Sequence, residues 1–130
     1  MKVSRSTGYG IIAMGYIAKH KDKPIILSQD IAEQYNIPLE YLLKILQQMV
    51  RADILRSKRG PRGGFSLARP LSKISLLDVI EAVEGPMTAK LDLDEVAPRD
   101  KFAAKAEAIY GKALAQARAI FSKTKVTDLM

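Results

Sequence analysis

The chain has 130 residues, 48% of them hydrophobic and 27% charged, a length that makes one packed domain and a composition typical of globular rather than disordered proteins. It contains no cysteine, which excludes disulfides, thiolate metal sites, cysteine-ligated iron–sulfur clusters and cysteine nucleophiles. The formal net charge is +7, and the whole excess lies in the first half: residues 1–70 hold 12 Lys and Arg against 5 Asp and Glu, residues 71–130 hold 9 against 9.

A basic half joined to a neutral half suits a nucleic-acid reader with a separate assembly element, although basic domains also bind anionic membranes and acidic proteins. The weakly basic residues 1–6 and the apolar residues 10–18 superficially resemble a signal peptide. Charged residues follow at Lys19 to Lys23 without a small-residue cleavage pattern, and the apolar stretch is too short to span a bilayer, so the expected location is the cytoplasm and no membrane partner is expected.

In residues 6–20, Tyr9, Ile12, Ala13, Tyr16 and Ile17 recur at spacings of three and four, which predicts a helix with one buried stripe, ended by the polar run before Pro24. Ser28 is placed to cap a short helix over residues 29–35, with Asp30 at its positive end. Asn36 tolerates the left-handed conformation that closes a helix, and Pro38 suits the first turn of the next. Two helices joined by so short a turn outline a helix-turn-helix. Along the third helix Leu39, Leu42, Ile45, Leu46, Met49 and Val50 gather on one side, and Glu40, Lys44, Gln47, Gln48 and Arg51 on the other. A polar face of this kind offers donors and acceptors to base edges and phosphates, and it is also the face of any amphipathic surface helix.

The stretch after it decides between the two. Strand candidates at residues 54–58 and 65–68 flank a Gly/Pro turn and read as a β-hairpin. Its tip is basic and nearly free of side chains: Gly60, Gly63 and Gly64 let the backbone approach a phosphate, Pro61 stiffens the turn, and Arg59 and Arg62 carry charge suited to a narrow minor groove. Arg56, Ser57 and Lys58 lead into that tip. Arg5, Ser28, Gln29 and Pro38 join the candidate DNA-contact set with Glu40, Tyr41, Lys44 and Arg51. Ser75 and Asp78 form an S-x-x-D capping box for a packing helix that Gly85 and Pro86 end. Residues 88–100 are acidic and irregular. Asp92, Asp94, Glu95 and Asp100 are hard ligands suited to magnesium or calcium, but no ordered spacing supports a site, and a solvated loop is expected. A last helix, residues 101–123, repeats Phe102, Ala106, Ile109, Ala113, Ala117 and Ile120 at steps of four and three, an alanine-rich seam suited to a partner helix.

The segment Ile37-Pro-Leu-Glu-Tyr-Leu-Leu-Lys-Ile-Leu-Gln-Gln-Met49, the hairpin from Leu55 to Pro70, Ser4-Arg5 with Tyr9, Ile80-Glu-Ala-Val-Glu-Gly85 and Val126-Thr-Asp-Leu129 together resemble the Rrf-two family of bacterial regulators over nearly the whole chain. The resemblance implies a dimer in which Arg59 enters the minor groove while the third helix reads the major groove through Glu40, Tyr41 and Lys44. Cluster-binding members often carry an acidic residue where Leu43 stands, and three cysteines in the loop corresponding to residues 88–100. This chain has neither.

The expected fold is therefore mainly α with a small β-hairpin: a winged helix-turn-helix domain over residues 1–86, an acidic loop over 87–100, and a long C-terminal dimerisation helix with its tail over 101–130. The expected function is sequence-specific binding of double-stranded DNA by a homodimer acting as a transcriptional regulator, a repressor, with no cofactor, no cluster and no metal. An effector, a small molecule or a protein, would bind between the terminal helix and the winged domain and favour one arrangement of the two reading heads. The competing reading is a winged-helix adaptor for another protein, which the basic glycine-rich wing argues against. An enzyme is not expected: one histidine, no cysteine and no phosphate loop leave little to build a site from, and His20 reads as a surface residue.

Overall fold

A computed structural model describes residues 3–58, 60, 63–88 and 90–130. In chain order these form α1 (Arg5–Lys19), β1 (Ile26–Leu27), α2 (Ser28–Tyr35), α3 (Leu39–Arg51), β2 (Leu55–Lys58), β3 (Gly64–Leu67), a 3₁₀ turn (Leu71–Lys73), α4 (Leu76–Glu84), α5 (Leu93–Val96), α6 (Lys101–Lys123) and a closing 3₁₀ turn (Val126–Leu129). The fold is a helical domain with a small antiparallel sheet ordered β1-β3-β2, plus a long terminal helix. Among the described residues no helix is long and apolar enough to cross a membrane.

Helix α1 packs on α3 and α4 and buries Ala13, Met14 and Ile17, with Gly10 close to both helices, while Tyr16 meets Tyr35 of α2 edge to face. A Cβ on Gly10 would lie 3.1 Å from Val83 Cγ2 and 3.4 Å from Met49 Cε, so a larger residue would push the helices apart. Ile12, expected in the buried stripe, is 44% exposed, because the inner face is shifted toward Met14 and Ala18. The turn between α2 and α3 forms as its residues require: Asn36 has φ 52°, and Pro38 precedes the helix as its cap rather than occupying its first turn. Leu42, Leu43, Ile45, Leu46 and Met49 bury the inner side of α3. Truncating one such residue to alanine costs about 2 to 5 kcal/mol through lost transfer energy and the cavity left behind.

Four further local features differ from expectation. Ser28 is the first residue of α2 and makes no capping bond; it is 2% exposed, since the two-residue strand β1 draws the helix start into the core. That strand pairs with β3, Ile26 opposite Phe65 and Leu27 opposite Gly64, and completes a sheet expected to have only two strands. Gly64 is buried beneath it: a Cβ there would overlap Ile25 Cγ2 and lie 3.1 Å from Ile26 O, so this glycine serves strand packing rather than a phosphate. The acidic loop contains a short helix, α5, held by Glu107 of α6, whose carboxylate accepts the Leu91 amide at 2.7 Å and the Leu93 amide at 3.0 Å. Those two amides hold the Glu107 carboxyl below the usual carboxylate range.

The capping box of α4 is present in both directions, Asp78 N to Ser75 Oγ at 3.0 Å and Ser75 N to Asp78 Oδ2 at 2.9 Å. The chain's end is laced to the same place by Leu76 N to Thr124 O at 2.8 Å and Val126 N to Ile74 O at 2.9 Å. Helix α6 has the predicted bounds, capped by Asp100 through the Ala103 amide at 2.8 Å.

Candidate nucleic-acid interface

The candidate contacts lie on the start of α1, the start of α3 and the hairpin that packs against α3 through β2. Tyr41, on the first turn of α3, joins the first two: its hydroxyl hydrogen-bonds Ser6 Oγ, and its ring meets Tyr9 edge to face at 5.5 Å. Tyr41 is still 40% exposed. A second clamp fixes the N-terminus of α1 to the end of α4. The Glu84 carboxylate accepts the Ser4 amide at 2.6 Å and the Thr7 hydroxyl at 2.7 Å, while Ser4 Oγ caps Thr7 N. Contacts from Ser4, then Thr7, hold the Glu84 carboxyl below the usual carboxylate range. Arg5, between these clamps, therefore projects from a fixed backbone. Neither clamp was visible in helical spacing, because Ser4 and Glu84 are 80 positions apart.

Glu40, Lys44 and Arg51 are exposed on the outer face of α3, with Gln47 and Gln48 half-buried beside them. Arg56, Ser57 and Lys58 are exposed along β2. Ser57 Oγ donates to Gly60 O at 2.9 Å, and Gly60 adopts φ 85°, a conformation that requires its missing Cβ. Gly63 is half-buried, and its amide donates to Gly60 O at 3.2 Å to close the turn. Arg59, Pro61 and Arg62, the expected minor-groove residues, lie outside the described residues. Gln29 is exposed, with its amide on Glu33 at 3.0 Å, and Pro38 is exposed. Ser28 and Gly64 are buried, so the site as assembled excludes their side-chain positions. Leu43 is 4% exposed and belongs to the core.

Five cations of these elements have no counter-charge among the described residues. Arg5, Lys44, Arg51, Arg56 and Lys58 form no ion pair with any described residue. Arg69, by contrast, is consumed internally: it donates to Asp53 O at 3.0 Å and Lys73 O at 2.8 Å and approaches Asp78 Oδ2 at 3.4 Å, tying the base of the hairpin to α4. Free cations beside exposed hydrogen-bonding groups can neutralise phosphates and contact base edges.

On α6 the inner face is Tyr110, Leu114 and Phe121, which meets α4, and Arg118 pairs with Glu81 at 3.2 Å. The predicted seam lies on an adjacent face. Phe102 is 84% exposed, Ile109 67% and Ile120 64%; Ala113 is exposed, and Ala106 and Ala117 are half-buried.

The chain is 37% identical over 100 residues to BadM of Rhodopseudomonas palustris, which carries a helix-turn-helix type regulator name; the match takes in 77% of this chain and 62% of that protein. It is 34% identical over 89 residues to the HTH-type transcriptional regulator IscR of Vibrio atlanticus, over 68% of this chain and 51% of the relative, so the chain spans only part of the curated relatives it matches. CymR of Bacillus subtilis, called a global cysteine regulator, superimposes with a TM-score of 0.81 at 25% identity, over 99% of this chain and 95% of that one. The Rrf2 family model, described as an iron-dependent transcriptional regulator, matches residues 3–130. The donors here do not fit a thiolate-held iron centre: cysteine is absent, and the single histidine, His20, holds Tyr16 O through Nδ1 at 2.8 Å. Among the described residues no three His, Asp or Glu side chains converge, and of the loop carboxylates Asp100 caps α6. Matched over nearly its full length and folded like these regulators, the chain belongs to the Rrf2 family of transcriptional regulators, which is not a family of enzymes.

Proposed function

We propose that this chain is a sequence-specific DNA-binding repressor that acts as a homodimer, without an iron–sulfur cluster. The observation that carries the reading is the set of exposed cations, Arg5, Lys44, Arg51, Arg56 and Lys58, that form no ion pair with a described residue, on elements where Tyr41 couples the starts of α1 and α3. In this reading Glu40, Tyr41 and Lys44 face the major groove, where a carboxylate accepts from cytosine and an ammonium donates to guanine. Arg5, Arg51, Arg56, Ser57 and Lys58 hold the phosphates, with Gln29 and Pro38 at the edge of the contact. The hairpin tip carries Arg59 and Arg62 to the minor groove, and Gly60 and Gly63 give it the slim profile that groove requires. The exposed Phe102, Ile109 and Ile120 supply the seam to a second copy, and a dimer lying across two half-sites represses by denying that DNA to other proteins. Such a reader works in the cytoplasm, and an effector acts by favouring one arrangement of the dimer.

Titration of a duplex at increasing salt tests the cationic contacts together, since cations at the phosphates and in the minor groove both displace counterions. Six cations per protomer, Arg5, Arg51, Arg56, Lys58, Arg59 and Arg62, predict a slope of log K on log salt of about −5 for one protomer and steeper for two. A slope near zero would favour the adaptor reading.

A further inference from the structure

Beneath the closing turn, α1 and α4 leave an apolar pocket of about 360 Å³. Its floor is core: Met14, Ala18, Val79 and Val126 are all buried. Its walls are Ile11 of α1 and Leu129 of the closing turn. Gly15 opens onto it, since a Cβ built there meets no atom within 4 Å. The pocket opens to solvent past Leu129, and its volume lies within the range of small-ligand sites. Lys19 carries the one charged side chain of the lining; it is exposed and forms no ion pair with any described residue.

We propose that this pocket binds a small amphipathic anion, a medium-chain carboxylate or a molecule of that shape, with its apolar body against Met14 and Val79 and its anionic end at Lys19. The body removes apolar wall from water, and the ammonium selects for charge. Binding itself stands apart from the DNA reading; only its effect on operator affinity rests on that reading. The route is short, because the helix that lines the pocket with Met14 and Ala18 carries Arg5 and Tyr9 at its other end.

Octanoate and its uncharged analogue 1-octanol, titrated by calorimetry into the intact protein, test the site. Saturable binding of one octanoate per chain is expected. Gly15→Leu fills the pocket and removes a glycine from a helix, so it should keep the fold and abolish binding. Lys19→Gln should weaken octanoate about threefold and leave octanol unchanged, as for an exposed charge pair. No saturable binding, undiminished binding by Gly15→Leu, or equal losses for both probes in Lys19→Gln would overturn the proposal. So would conversion of Gly15→Leu to a monomer, which would make the pocket a seat for the second copy. Operator affinity is read separately with and without octanoate, so a protein that binds octanoate but selects no DNA sequence defeats the DNA reading and leaves the pocket intact.

Discussion

Replacing Ile109 by aspartate separates the interior of the protomer from the surface that joins two of them. Ile109 is 67% exposed on α6, on the face away from Leu114, which is 7% exposed. In the isolated protomer the change therefore removes little packing and should cost about 0.5 to 1 kcal/mol, mostly helix propensity. In a two-fold dimer the loss is counted twice. Full burial of isoleucine contributes about 1.5 to 3 kcal/mol, and about two-thirds of that, 1 to 2 kcal/mol per copy, remains for the partner to supply. The pair of substitutions should cost about 2 to 4 kcal/mol, which weakens dimerisation about 30- to 700-fold before the penalty of desolvating two carboxylates is added. Sedimentation velocity over a micromolar concentration series measures the dimer constant, and circular dichroism reports the protomer fold. An unchanged constant would put the interface elsewhere, and an unfolded protomer would mean that Ile109 packs against its own domain.

Arg56→Ala should weaken operator and random duplex alike, whereas Arg59→Ala should reduce operator preference by about 1 to 3 kcal/mol; equal losses on both DNAs in competition binding would remove Arg59 from groove reading. Gly64→Ala should lower the melting temperature, because its Cβ would overlap Ile25, and an unchanged melting temperature would show that the β1–β3 contact yields freely. Glu84 has a lowered carboxyl pKa in the folded chain, so its contribution is fully present above the unfolded value and is lost as pH falls through the folded value. Glu84→Gln should flatten that acid limb in pH-dependent melts; an identical limb would assign it to other carboxylates. Protein prepared without oxygen should be colourless, with operator affinity indifferent to chelators and oxidants, and stoichiometric iron and sulfide with a matching change in binding would defeat that expectation.

The helices were legible where one periodic stripe dominates, as in α3 and α6, and where a local device marks an end, as with Asn36 and the Ser75–Asp78 box. What escaped is non-local. A two-residue strand such as Ile26–Leu27 is too short to show alternation, yet its pairing with β3 buries both Ser28 and Gly64. Glycine at a basic hairpin suggests room for phosphate, and only the third strand reveals that Gly64 makes room for Ile25 instead. The same limit applies to the site. Exposed cations could be read from the polar face, but Tyr41 bonding Ser6, Glu84 clamping Ser4 and Thr7, and Arg69 turning inward all depend on elements far apart in the chain.

Selection of duplexes from a random pool by the purified protein, followed by sequencing, tests the central claim most directly. A dimer presenting two α3 helices should enrich an inverted repeat whose half-sites lie about one helical turn apart, roughly 34 to 36 Å, and Lys44→Ala should alter the bases chosen within each half. A pool that emerges with no enriched sequence, or with a single unrepeated site, would contradict the account.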